Sequence, residues 1–340
     1  MLNTKIGENY NANDVMNPND LRKRILNVDS RFRSDQSQPT TNYTLKLDHT
    51  YKNLIRLRIA SVEIPNMMYT FTEKNNSFTV KAYDHVNILR MVEIKIPVGN
   101  YTSDGLMVTI QNLFIAKMQP YGIYLNITVD STSAKVTITN TGVSIPASSP
   151  PGPTHSAKPF AIIFGGMGKN LGFLKSNYKV NNIGTGLTVG TPPTSIDTYY
   201  QTGEACLDVV GDTYMFLCVN DLYTVDQTTN DNYIQCLAKI IIRESRYDVI
   251  YDDGSSYLSN EIIFPAPTDL KILQVKLIDA YGEVVDLNNM NFSFSLEITE
   301  VLNTAMYDFY RNYIWLGTIP SIKKPSGSQI PLMKGMGPPY

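Results

Sequence analysis

At 340 residues and a net charge of −2, the chain is long enough to bury roughly three quarters of its unfolded surface, so it needs neither disulfides nor a metal to fold. The near-neutral balance argues against broad nucleic-acid binding, which needs a basic surface to release counterions. Cys206, Cys218 and Cys236 form no CxxC pair, and an odd number is a poor disulfide framework. With a polar N-terminus and no run of about twenty apolar residues, this implies a chain without a membrane span that assembles in a reducing cytosol. Charged residues make up only 18%, and Asn, Thr, Ser and Tyr fill the shortfall. The sequons at Asn42, Asn75, Asn100, Asn126 and Asn291 follow from that composition.

Residues 1–24 are polar and aperiodic, and with the segment up to residue 33 they are expected to form an extended arm. From Tyr43 the period is two. Tyr43, Leu45 and Leu47 alternate with polar residues, then Ile55, Leu57 and Ile59 alternate with Arg56, Arg58 and Ala60. Val62 and Ile64 shift the parity, which predicts a β-bulge near Ala60 and Ser61. Further strands are predicted at Phe78 and Val80, and at Val92, Ile94 and Ile96. Ser103 as N-cap, Asp104 and the stripe Leu106, Ile110, Leu113, Phe114 and Lys117 predict a helix over 104–117, stopped by Pro120.

Strand signals resume over 123–129 and at Val136 and Ile138. Residues 144–203, with their Pro- and Gly-rich ends, are expected to be one elaborated insertion in the sandwich. Strands follow at 214–219, 234–242, 270–278, with a second bulge near Leu273, and 292–298. Tyr281-Gly282-Glu283 reads as a turn. The expected organisation is an arm over 1–33, a sandwich over 34–316 and an extended tail over 317–340. Many strands, one prominent helix and no fixed repeat make an all-β, jelly-roll-like antiparallel sandwich with long loop insertions.

The search for chemistry returns little. His49, His85 and His155 lie in different segments without metal-ligand spacing, and no nucleophile elbow is present. Gly165-Gly166-Met167-Gly168-Lys169 fails the phosphate-loop pattern, because Asn170 follows the lysine, and it reads as a turn. Asp252-Asp253-Gly254 also reads as a turn. No catalytic residue, cofactor or metal is expected. Two segments have interface character. In residues 27–33, Asp29, Arg31, Phe32 and Arg33 suit an arm adding to another sheet. In residues 307–315, Tyr307, Phe309, Tyr310, Tyr313 and Trp315 surround an arginine, as interface cores do. Each segment reads equally well without a partner, as a solvated end and as a closing element of the protein's own core.

Four stretches carry a resemblance: NVDSRFR at 27–33, LIRLRIASVEIPN at 54–66, IPVGNYTSDGL at 96–106 and LIDAYGEVVDLNNMNFSFSLEI at 277–298. Together they resemble penton and minor capsid proteins of the nucleocytoplasmic large DNA viruses. The resemblance implies a jelly-roll-like, non-enzymatic virion protein. It also implies assembly in the host cytoplasm, with the major capsid protein, other minor capsid proteins or further copies of itself (a pentamer if a penton) as partners. The residues alone also admit a glycan- or receptor-binding sandwich of a viral fibre, with the Tyr199-Tyr200 loop as its best candidate. A hydrolase on a jelly-roll scaffold, with two converging carboxylates, is a second alternative.

Overall fold

The computed structural model describes residues 20–141, 157–181, 183–189, 194–228, 233–253, 261–305, 307 and 308, with the backbone alone for 183–189 and 194–197. It is the all-β, antiparallel, jelly-roll-like architecture expected, with one prominent helix. The buried apolar residues gather into two large cores.

The first core belongs to a seven-stranded sheet. Its strands are β1 (Leu21–Asp29), β2 (Asn42–Pro65), β11 (Tyr214–Val219), β14 (Ala238–Ile241), β15 (Val249–Asp252), β16 (Ile262–Ile278) and β17 (Ser293–Val301). They run in the order β1-β17-β2-β16-β11-β14, with β15 against the far end of β2. Residues 43–47 and 55–64 are one continuous strand. Its pairing with β16 slips twice in a row: opposite Ile55, where β16 carries Pro265 and Pro267, and at Asn53, whose φ is 56° and whose amide donates to Asp269. Proline cannot donate to a ladder, so the pairing breaks and the ribbon curls there. The curl turns the sheet into a half-barrel that wraps Leu57, Ile59, Leu217, Leu273 and Phe294.

The first predicted bulge is present. Ser295 pairs with Ser61 and Leu296 with Ile59, which leaves Ala60 as the extra residue. The second, expected near Leu273, is corrected: from the Leu270–Tyr51 pair to the Ile272–Lys46 pair β2 advances five residues and β16 two, so the extra residues lie on β2 as a wider irregularity. Three further expectations are corrected. Residues 21–29 of the predicted arm are β1, paired with β17 from Leu21 to Asp29; Leu26 and Val28 are its buried apolar side chains. Residues 234–242 are two strands, β13 (Tyr233–Cys236) and β14. They break at Leu237, because β13 pairs with β12 (Val225–Thr228) and β14 with β11. The third correction concerns residues 144–203 and follows from the second core.

That second core lies between two four-stranded sheets. One has the order β4-β3-β7-β8, from Leu89–Lys95, Ser77–Tyr83, Phe160–Phe164 and Asn177–Val180. The other has the order β5-β6-β10-β9, from Leu125–Val129, Val136–Asn140, Thr194–Thr202 and Ile183–Val189. Four strands of the expected insertion are therefore integral: β7 pairs with β3, β8 with β7, β10 with β6 and β9 with β10. Phe160, Ile162 and Phe164 are buried in its core. Residues 142–156 lie outside the described residues.

Helix α1 (Ser103–Met118) buries Leu106, Met107, Ile110, Phe114 and Met118 in this core. Its N-cap is Thr102, not Ser103: the Thr102 hydroxyl accepts the Gly105 amide at 3.1 Å. The helix also covers two strand edges. The Gln111 amide donates to the Leu125 carbonyl (3.0 Å) and accepts from the Ile127 amide (3.1 Å), as a neighbouring strand would, and Lys117 donates to the Glu93 carbonyl at 2.9 Å. Exposed edges invite pairing with other chains, and the helix removes part of two of them.

Candidate interaction surface

The resemblance-bearing stretches meet in structural locks. Residues 27–33, 54–66 and 277–298 lie side by side as β1, β2 and β17 with their flanking turns. Ser30, fully buried, donates its amide to the Phe292 carbonyl (3.0 Å), accepts the Phe292 amide on its hydroxyl (3.0 Å) and donates that hydroxyl to Asn291 Oδ1 (3.0 Å). Asp29 is buried and accepts from the Arg31 amide and guanidinium at 2.9 Å. Burial pushes its carboxyl up, and the bonds from Arg31 outweigh this and leave it below the ordinary value. Arg33 donates to the carbonyls of Ser30, Gln36 and Gln38, which folds 33–38 into a compact loop.

The fourth stretch locks the passage between the cores. Asn100 accepts the Thr70 amide at 2.8 Å and donates to the Met68 carbonyl at 3.0 Å. On the other side Asn66, 1% exposed, donates to the carbonyls of Glu244 (2.9 Å) and Ser245 (3.1 Å) and accepts from Arg246 Nη1 at 2.9 Å. Arg246 Nη2 also donates to the Thr70 hydroxyl and to the Val210 carbonyl, so one guanidinium ties both chain crossings together. Beside it lies a cavity of about 370 Å³ lined by Lys169, Asp208, Asp212 and Tyr281 among others. Burial and the nearby Asp279 and Asp208 push the Asp212 carboxyl above its ordinary value. Among the described residues, no three His, Cys, Asp or Glu side chains stand where they could hold a metal ion, and no helix is long and apolar enough to cross a membrane.

Of the residues predicted for an interface, Arg31 and Phe32 are exposed; Phe32 is 71% so, with the Arg31 guanidinium 5.9 Å from its ring. Asp29 and Arg33 serve internal bonds. Tyr307 is buried against Leu21, Ile55 and Val301 on the outer face of the sheet, so it closes the protein's own core. Phe309, Tyr310, Tyr313 and Trp315, like the tail over 317–340 and His155, lie outside the described residues. Tyr199 and Tyr200 are in β10, not in a loop. Gly165–Lys169 turns the chain out of β7, as expected, into a single helical turn.

The surface that sequence reasoning missed is the β3–β4 hairpin. Val86, Ile88, Leu89 and Met91 each expose between 52% and 65% of their surface, and Tyr83 joins them. Tyr83 pairs with Leu89, and Met91 lies two residues along, so these three share the outward face of the hairpin. The tip is rigidly held. Asp84, 1% exposed, accepts the amides of Val86 (3.0 Å) and Ile88 (2.8 Å) and the Arg90 guanidinium (2.8 Å). Burial raises its carboxyl, and these three donors bring it below the ordinary value. Lys158 donates to the Asp84 carbonyl and to Asn87 Oδ1, each at 2.7 Å. The Arg90 guanidinium lies 4.6 Å from the Tyr121 ring centre, and the His85 amide donates to the Tyr121 carbonyl. Gly122 is required twice there: its φ is 70°, and a Cβ would stand 3.1 Å from the His85 ring. Scattered exposed apolar residues are ordinary. Four around one pinned turn form a preorganised patch of the kind that binds another protein.

Comparison with protein-family models and with curated proteins finds no match. Among solved structures, the penton protein of mavirus aligns with 82% of this chain and 99% of its own at 11% identity, with a TM-score of 0.40.

Proposed function

We propose that this chain is a non-enzymatic structural protein of a virus particle, a penton or minor capsid protein that stabilises an icosahedral shell through contacts between subunits. The observation that carries the reading is the β3–β4 tip: apolar side chains presented to solvent on a turn that Asp84, Lys158 and Arg90 hold in one conformation. Polar locks elsewhere serve rigidity, with Asn66, Asn100, Ser30 and Arg246 bonded to backbone at the seams of the fold. Rigid scaffolds with fixed apolar anchors lose little entropy on association. The resemblance of residues 27–33, 54–66, 96–106 and 277–298 to capsid proteins supplies the partners: the major capsid protein, other minor capsid proteins or further copies of this chain. Assembly in the host cytoplasm and residence in the virion follow from the same reading. A quantitative protein inventory of purified particles tests it. The chain should be present in fixed stoichiometry to the major capsid protein, and its absence from particles would overturn the proposal.

A further inference from the structure

The sulfur atoms of Cys218 and Cys236 lie 3.0 Å apart, closer than non-bonded sulfurs ordinarily sit. Cys218 belongs to β11 and is half-buried; Cys236 ends β13 and is buried with Phe216 and Ile278. The backbone around them is fixed. The Leu237 amide donates to the Leu217 carbonyl (2.9 Å), the Thr224 amide to the Cys236 carbonyl (3.0 Å) and the Thr224 hydroxyl to the Leu237 carbonyl (2.8 Å). A disulfide needs the sulfurs about 1 Å closer, across backbone that these bonds already hold together. The two thiols are also unlike. Lys276 is the cross-strand partner of Cys218 on β16. The hydrogen bond with Cys236 and the charge of Lys276 bring the Cys218 thiol below its ordinary value, and the bond to Cys218 together with burial pushes Cys236 up. The thiolate is the nucleophile in exchange, so Cys218, the less buried of the two and the one beside Lys276, is the attacking group and Cys236 the resolving one.

We propose that Cys218 and Cys236 are a redox pair that closes to a disulfide when the protein meets a small disulfide donor such as oxidised glutathione. The Cys218 thiolate attacks one donor sulfur, the donor S–S bond breaks, and one donor thiol leaves. The Cys236 sulfur, losing its proton, then attacks Cys218 Sγ in the mixed disulfide and expels the second donor thiol. Two cysteine thiols are oxidised and one donor disulfide is reduced to two thiols. The new bond staples the β12–β13 hairpin to β11, and closing a loop of this size removes freedom from the unfolded chain. The protein would fold reduced in a cytosol and tighten once it leaves one.

The test uses the full chain carrying Cys206→Ser, which removes the exposed third cysteine. Folded protein is incubated with oxidised or reduced glutathione, then denatured and alkylated. Reduced protein should take up two alkyl groups, and oxidised protein none, with a mass lower by two hydrogens and a peptide linking residues 218 and 236. Adding Cys236→Ser should stop the reaction at a glutathione adduct on Cys218. The oxidised form should melt several degrees above the reduced one, and Cys236→Ser should abolish that difference. Two alkylated thiols under a donor ratio that oxidises an exposed dithiol would overturn the proposal, and so would an adduct on Cys236 in place of Cys218.

Discussion

Asn66 shows what a single side chain does in this molecule. It bonds two carbonyls and a guanidinium at the crossing between the two cores. Asn66→Ala would strand buried acceptors and part of Arg246, at a cost of about 2–3 kcal/mol. Denaturant unfolding should show that loss, and a change within error of zero would mean the crossing is held by packing alone. Asp84 makes a similar argument through its charge. Its folded carboxyl lies below the usual 3.8, so its stabilising contribution is complete above that pH and disappears as pH falls through the lower folded value. A carboxyl-carbon NMR titration of Asp84 should give a midpoint below 3.8. A midpoint at or above it would contradict the turn geometry. In Asp84→Asn, the Val86 and Ile88 amides should exchange faster with solvent, since the neutral amide is the weaker acceptor.

Strand β1 decides how the N-terminus is treated at the scale of elements. Period two was legible wherever one face is buried and the other polar, as in β2 and β17, and the parity change after Ile59 located the bulge at Ala60. β1 escaped because Arg22, Lys23, Arg24 and the exposed Ile25 interrupt any alternation; only Leu26 and Val28 reach the core, and pairing with β17 sets the rest. Deleting residues 1–29 should therefore lower the melting temperature sharply, through loss of a nine-residue strand and exposure of the edge of β17. Deleting 1–19 alone should leave the melting of the described fold nearly unchanged. Equal melting of the two truncations would return the segment to the status of an arm. The patch at the hairpin tip was not legible for a different reason. Val86, Ile88, Leu89 and Met91 look like an ordinary strand in one dimension. Only the pairing of Tyr83 with Leu89 and the bonds to Asp84 show that the turn holds them outward. Tyr307 takes the core-closing one of the two readings its segment allowed, because an aromatic run looks the same whether it closes a core or opens an interface.

The described residues form two large β cores joined by locked crossings, with an apolar tip on one of them, and we propose that the protein works by contact rather than by reaction. Circular dichroism should be dominated by β-sheet, with only a minor helical signal from Ser103–Met118. The most direct measurement compares wild type with Ile88→Asp/Met91→Asp for both thermal melting and incorporation into assembled particles. Both side chains are more than half exposed, so folding stability should change by no more than about 1 kcal/mol, roughly 0.5 for each substitution. Incorporation per folded molecule should fall at least tenfold, as expected when apolar anchors of an interface are replaced by charge. A variant that melts like wild type and still enters particles at the wild-type level would contradict the account.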